Sequence, residues 1–363
     1  MKLNPIEYTL KGIILHGGHG TRLRPLTHTG PKQLLPIANK PLSQYCLESL
    51  VNAGILEIII IIGGIGSNKV QEYYGNGEKF GAKITYVNQD YPRGIAHAIR
   101  LCKEFVGNDK FVVFLGDNII KKSIADYVSK FKQSDASASI LLCEVSNPTQ
   151  FGIADVKDGI IKKIMEKPKN PPTNLAVTGI YLLTPTIFDI IDRLRPSWRN
   201  EYEITDALQM LLEEGYKIIY DVVTDYWKDT GTPHDIIHAN KVILSSMKSY
   251  FHGTKEDHVS INGNVMIGEG TVIKNGSRIV GPVIIGKECV IGLDTYIGPN
   301  TSIGDNSKIS KCNIENSIIM SGCNIDGDIK IRNSIIAFNS EIIKTNNADS
   351  NVFLLGEGTK ISL

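Results

Sequence analysis

The fold predicted for this 363-residue chain is an α/β domain with a mostly parallel sheet, followed by a parallel β-helix. Two patterns carry that expectation. Through the first two-thirds, short apolar runs alternate with amphipathic stretches. Through the last third, nine isoleucines recur at a spacing of six: Ile261, Ile267, Ile273, Ile279, Ile285, Ile291, Ile297, Ile303 and Ile309. Six matches neither a helix nor a heptad, but it is a multiple of the strand period. Glycine follows five of the nine, at Gly268, Gly286, Gly292, Gly298 and Gly304. Short strands that turn every six residues, each burying one Ile, stack into a solenoid.

In chain order, Gly12 to His16 reads as a strand and a glycine-rich turn follows it. Pro41 to Ala53 reads as a helix with Leu42, Cys46, Leu47, Leu50 and Val51 on one stripe, stopped by Gly54. Glu57 to Ile62 is a strand, Ser67 to Tyr74 a helix and Lys83 to Asn88 a strand. Ala96 to Phe105 is a helix, and Phe111 to Leu115 an apolar strand that ends at Gly116-Asp117-Asn118. This βαβα rhythm implies a sheet with helices on both faces, and such sheets bind ligands beyond the carboxyl ends of their strands. The expected organisation is a first domain over 1–244, a linker over 245–258, the β-helix over 259–343 and a tail or cap over 344–363. The phase of the repeat slips after Ile309 and resumes at Ile319, which predicts a loop or irregular coil near Lys311.

Composition narrows the partners. The formal net charge is +1, so no broad basic field points to nucleic acid or an anionic membrane. The six cysteines form no CxxC pair and read as reduced thiols of a cytosolic protein. The N-terminus lacks a signal-peptide pattern, and the longest aliphatic run, Ile58 to Ile62, is a buried strand rather than a span. A cytoplasmic protein acting on small molecules is the expectation.

The turn Leu15-His16-Gly17-Gly18-His19-Gly20-Thr21-Arg22-Leu23-Arg24-Pro25 suits a polyphosphate. Glycines let backbone N–H groups approach phosphate oxygens, and paired arginines add charge-assisted bonds. It is neither a Walker loop nor the GxGxxG fingerprint. Pro31-Lys32-Gln33-Leu34-Leu35-Pro36 then holds a lysine in a rigid setting close by in sequence.

Together, GGHGTRLRP and PKQLLP resemble the signature of sugar-phosphate nucleotidylyltransferases, specifically the long form of the glucose-1-phosphate thymidylyltransferases, which carries a C-terminal hexapeptide-repeat β-helix. The likeness continues through Asn88-Gln89-Asp90, Gly94-Ile95-Ala96-His97-Ala98, Gly116-Asp117-Asn118, Phe151-Gly152-Ile153, Glu166-Lys167-Pro168 and Asn174 to Tyr181. It ends with Glu203-Ile204-Thr205-Asp206 and Trp227 to Gly231. The resemblance implies a Rossmann-like nucleotidyltransferase domain and a left-handed β-helix. The implied reaction joins a sugar 1-phosphate to dTTP, with in-line attack on the α-phosphate and release of pyrophosphate.

The same resemblance implies roles residue by residue. Arg22, Lys32 and Lys167 are the catalytic cations. Leu15, Gly17, Gly18, Gly20, Thr21, Arg22, Lys32, Gln89, Gly94 and Asp117 bind the nucleotide. Asn118, Gly152, Glu166, Lys167 and Val177 bind the sugar phosphate, and Asp117 with Asp229 binds Mg2+. Read alone, Asp117 suits a helix cap, Asp229 a turn and the Glu166–Lys167 pair a surface ion pair. The Glu203–Asp206 stretch reads as a helix start capped by Thr205 or Asp206. His16 stands where the family commonly has a small residue and reads as a buried histidine with a satisfied ring. Arg93 before Gly94 and Phe151 for the commoner Tyr leave base and sugar open, with UTP as the alternative nucleotide.

Two rival functions are weaker. An acyltransferase on the β-helix would need a base such as His, and none of the eight histidines falls inside the repeat. A non-catalytic regulatory subunit would be expected to have lost the phosphate loop, whereas Arg22, Lys32, Asp117, Lys167 and Asp229 are all present. The β-helix is expected to serve homo-oligomerisation through its open ends and flat faces.

Overall fold

The structure is a computed structural model and describes residues 10–18 and 20–344. It forms two compact units, one of Met1–His19, Thr29–Leu34 and Leu42–Asp229, the other of Gly20–His28, Leu35–Pro41 and Thr230–Leu363. The elements in chain order are β1 (Lys11–Leu15), β2 (Pro36–Ile37), β3 (Lys40–Pro41), α1 (Leu42–Asn52), β4 (Glu57–Ile62), α2 (Ser67–Tyr74) and β5 (Lys83–Asn88). There follow α3 (Ile95–Arg100), α4 (Lys103–Val106), β6 (Phe111–Leu115), β7 (Asn118–Ile120), α5 (Ala125–Gln133), β8 (Ala138–Glu144), β9 (Gly152–Lys157) and β10 (Ile160–Glu166). The last are β11 (Leu175–Leu183), α6 (Thr186–Ile191), α7 (Ile204–Glu213), β12 (Ile218–Val222), β13 (Trp227–Asp229) and α8 (Pro233–Ser246).

The sheet of the first unit runs β10-β9-β11-β6-β1-β4-β5, with β8 on β11 and β12 on β8. β6, β1, β4 and β5 are parallel, as the βαβ rhythm requires. The rest is mixed: β11 lies antiparallel to β6 and β8, and β9 antiparallel to β10 and β11. The reason is local. Asp158 and Gly159 both have positive φ and close β9 onto β10 as a two-residue hairpin, which forces antiparallel pairing.

Central strands are buried on both faces, which explains their unbroken aliphatic runs. Ile13, Ile59, Ile61 and Val113 face α3, α6 and α7, whereas Ile14, Ile58, Ile60 and Phe114 face α1, α2 and α5. The single helix expected over 96–105 is two short ones. The end of α3 tightens, with Leu101 N bonded to Ala98 O at 3.2 Å.

In the second unit the solenoid is a left-handed parallel β-helix of three sheets, with strands such as Val265–Ile267, Val283–Ile285 and Thr301–Ile303 in register above one another. The repeat isoleucines from Ile267 to Ile309 are buried in its core. Two expectations change. First, 245–258 is no bare linker: α8 reaches Ser246, and Tyr250–Phe251 and Thr254–Lys255 pair with Met266–Ile267 and Val272–Ile273 as part of the first coil. His252 and His258 thus lie in that coil, and among the described residues neither ring makes a hydrogen bond. Second, the phase slip breaks nothing. Ile297 pairs with Ile314 and Ile303 with Ile319, so shorter turns absorb the lost residues, with Lys311 at φ 55.

α8 belongs to the second unit rather than the first. Its Leu244 packs with Ala38, Met266 and Ile284. Asn240 accepts from Ala38 N (2.8 Å) and donates to Asn300 O (3.1 Å). The expected cap at Val352 to Leu355 lies outside the described residues. No helix among them is long and apolar enough to cross a membrane.

Candidate active site

β1, β4, β5 and β6 end on the same side of the sheet, and β1, β5 and β6 each hand over to a segment singled out in the sequence. His16–Gly18 follows β1, Gly63 follows β4, Gln89 follows β5, and Gly116–Asp117 follows β6. This is where an open α/β sheet binds its ligands.

Asp117 lies between β6 and β7, so it is not a helix cap. Lys32 forms a tight ion pair with its Oδ2. Burial pushes the Asp117 carboxyl up, but the Lys32 ammonium and the Asn118 amide outweigh that and hold it below the usual carboxylate range. Asp229 is not in a turn either. It ends β13, which pairs antiparallel with β7, and its register partner is Asn118, the residue next to Asp117. The ribbon thus brings two carboxylates to one end. An all-oxygen pair of this kind fits a hard divalent cation completed by phosphate oxygens and water. Among the described residues no cluster of three or more His, Cys, Asp or Glu competes for such an ion.

Asn118 was expected to bind sugar, but its amide is committed to the protein. Its Oδ1 accepts from Trp227 Nε1 (2.8 Å) and Gly179 N (3.3 Å), and its Nδ2 donates to Asp117 Oδ1 (3.0 Å). In this structure it supports the carboxylate of Asp117. Leu15 is likewise a buried core residue whose carbonyl accepts from Gly116 N (3.0 Å), so the accessible loop starts beyond it. His16 is buried as expected, but among the described residues neither ring nitrogen has a partner. Burial lowers its pKa to about 3 against the opposing pull of Asp117, so the ring is neutral.

Gln89 is buried, with its backbone N on Ile62 O at 2.7 Å. Its side chain spans two elements: Nε2 lies 3.0 Å from His97 Nδ1 on α3, and Oε1 would be 3.2 Å from a Cβ built on Gly17. Gly94 has φ 102 and sits on the Tyr202 backbone, where a Cβ would come within 2.5 Å of the carbonyl oxygen. Only glycine meets both demands.

Glu166 ends β10 opposite Gly152 in β9. Its Oε2 accepts from Thr205 Oγ1 (2.9 Å), while Arg199 Nη1 (3.4 Å) and Lys167 Nζ (3.6 Å) approach Oε1. A Cβ on Gly152 would come within 2.5 Å of Thr205 Cγ2 and 3.2 Å of Glu166 Oε2. Lys167 has φ 41 although Pro168 follows, a strained backbone of the kind stored at functional sites. Val177 is buried in β11 beside a register shift. Burial and the Glu166 charge raise the pKa values of Glu203 and Asp206, so this corner is acidic apart from Arg199 and Lys167.

Sequence reasoning missed Arg199, His97 and the role of Thr205. Thr205 caps nothing, because Glu203 holds the N-cap position of α7 and Thr205 turns to Glu166. The available signal was the run Arg199-Asn200-Glu201-Tyr202-Glu203, a lone cation among acids ahead of a helix. In the second unit, Gly20 (φ 58) starts the 3-10 turn Thr21–Leu23, and Thr27 Oγ1 closes the loop on Gly20 O at 2.8 Å. The exposed Arg22 lays its guanidinium against Gly231, 3.1 Å from where a Cβ would stand.

The chain is similar to known proteins along most of its length. Residues 11–246 match the nucleotidyl transferase family model and 279–362 the GMPPB C-terminal domain. A glucose-1-phosphate thymidylyltransferase of Streptomyces antibioticus is 41% identical over 98% of this chain and 99% of its own. The low-salt glycan biosynthesis nucleotidyltransferase Agl11 of Haloferax volcanii is 50% identical over 72% of this chain and 73% of its own. A Bacillus anthracis protein provisionally named a glucose-1-phosphate thymidylyltransferase, crystallised with sucrose, superposes with a TM-score of 0.62 at 40% identity, covering 66% of this chain and 96% of that one. The chain belongs to the sugar-phosphate nucleotidyltransferase family, as a member with a C-terminal β-helix.

Proposed function

We propose that this protein joins glucose 1-phosphate to dTTP, giving dTDP-glucose and pyrophosphate. The observation that carries the reading is the half-buried Asp117, neutralised by Lys32 at the strand ends, with Asp229 paired to the neighbouring Asn118 on the β7–β13 ribbon. Carboxylates and cations so arranged suit two phosphorylated substrates and a divalent ion, and they offer no activated nucleophile. An oxygen of the sugar phosphate forms the new bond to the α-phosphorus, and the bond from that phosphorus to the β-phosphate bridging oxygen breaks. Pyrophosphate departs with the electron pair.

Catalysis is positioning and charge neutralisation. Lys32 and Arg22 offset charge on the triphosphate, most of all on the departing pyrophosphate. The backbones of Gly17, Gly18, Gly20 and Thr21 contact the phosphates, and Gln89 and Gly94 contact the base. Glu166 accepts hydroxyls of the sugar while Lys167, with Arg199 beside it, holds its phosphate. Gly152 and Val177 give the sugar room. Family members generally depend on a divalent metal; we take the ion to be Mg2+, held by Asp117 and Asp229. When bound, it adds positive charge at the reacting phosphates.

In the same reading the protein is a cytoplasmic homo-oligomer that uses its solenoid surfaces for contacts. The test is pyrophosphate release with Mg2+ and glucose 1-phosphate, offering dTTP, UTP, CTP, ATP and GTP separately. dTTP should be best and UTP next, since the two bases differ by one methyl, worth about tenfold to two-hundredfold. Silence with both pyrimidines carrying an N3 proton would refute it.

A further inference from the structure

We propose that His97 sets which end of the Gln89 amide faces the base, and so selects a pyrimidine that carries a proton on N3. The inference rests on the reading of Gln89 as the base-contacting residue. A glutamine amide is ambiguous by itself, because one end accepts and the other donates. Here one end is spoken for: Nε2 meets His97 Nδ1 at 3.0 Å. The other, Oε1, lies over Gly17 in the phosphate loop and has no partner among the described residues. An acceptor so placed takes the N3–H of thymine or uracil. Cytosine has a lone pair at N3 and meets repulsion instead.

The lock holds only while Nδ1 is an acceptor. Burial lowers the His97 pKa, and the Arg93 and Arg100 charges lower it further. The ring also stacks on Tyr202, with centroids 6.3 Å apart. At neutral pH the imidazole is therefore uncharged, with its proton on Nε2 and the Nδ1 lone pair turned to Gln89. Protonation makes Nδ1 a donor, the amide must rotate, and its NH2 then opposes the N3–H of the base. His97 is thus a positioning residue that acts through Gln89 and touches no reacting atom.

The test compares wild type with His97→Asn, which keeps a non-titrating acceptor, and His97→Phe, which keeps the ring against Tyr202 but loses the acceptor. KM and kcat for dTTP and CTP would be measured from pH 8 to 4.5 at saturating glucose 1-phosphate. At pH 8, His97→Asn should keep more of the wild-type dTTP KM and base preference than His97→Phe does. His97→Phe should raise the dTTP KM about tenfold, with kcat within about twofold, and narrow the preference for dTTP over CTP. As pH falls below 6.5, the wild-type dTTP KM should rise relative to that of His97→Asn. That ratio cancels ionisation of the nucleotide itself. Wild-type KM and base preference in His97→Phe, or a pH profile shared by wild type and His97→Asn, would overturn the proposal. Wild type inert towards both dTTP and UTP would instead remove the reading beneath it.

Discussion

Thr205 Oγ1 donates to Glu166 Oε2 at 2.9 Å, so the first turn of α7 fixes the acid delivered by β10. Arg199 and Lys167 approach the other carboxylate oxygen, and the group is held from two sides. If Glu166 accepts sugar hydroxyls, its aim depends on that hydroxyl. Thr205→Val should raise KM for glucose 1-phosphate about tenfold and leave KM for dTTP within about twofold. Thr205→Ser should restore it. Equal loss in both KM values would mean that α7 itself has shifted.

Asn118 ties Gly179 and Trp227 to the carboxylate of Asp117. Asn118→Ala leaves a buried N–H and an indole N–H without an acceptor, which costs about 2 kcal/mol or more. Urea denaturation should report that loss. Activity should fall beyond it, because Asp117 loses its orientation.

Burial holds His16 neutral, with a pKa of about 3 against about 6.5 in the unfolded chain. The stability this contributes is complete above pH 6.5 and is lost as pH falls towards 3, because the unfolded chain takes up a proton that the folded one refuses. The slope in that window is about 1.4 kcal/mol per pH unit. His16→Phe removes the titrating group, so from pH 5.5 to 4.5 wild type should lose about that much more stability than the variant. Parallel denaturation curves in metal-free buffer would contradict the assignment.

Much of this architecture could be read in the chain because its signals are local. The six-residue isoleucine period fixed one inward position per strand, and β4 and β6 carry unbroken apolar runs ended by turns. The solenoid's start was hidden because Tyr250–Phe251 and Thr254–Lys255 bury no repeat isoleucine, although their backbones complete the first coil. The Asp158-Gly159 hairpin was visible as a turn signal and would have announced the antiparallel half of the sheet. At the candidate site, Asp117, Gln89 and Glu166 were singled out because they stand in contiguous motifs. Pairs such as Gln89 with His97, or Glu166 with Arg199 and Thr205, depend on separate elements meeting. Spacing along the chain says nothing of such meetings, and for the same reason the bonds of Asn118 to Gly179 and Trp227 could not be read from it.

The central claim is that Asp117 and its partners support nucleotidyl transfer from a nucleoside triphosphate to a sugar phosphate. The most direct measurement is pyrophosphate release from dTTP and glucose 1-phosphate with Mg2+, wild type against Asp117→Asn. Substitution keeps the shape but removes the charge that pairs with Lys32 and that would hold the ion. Release by wild type and a fall of at least about a hundredfold in kcat for Asp117→Asn is the predicted result. Undiminished release by Asp117→Asn, or none by wild type, would contradict the account.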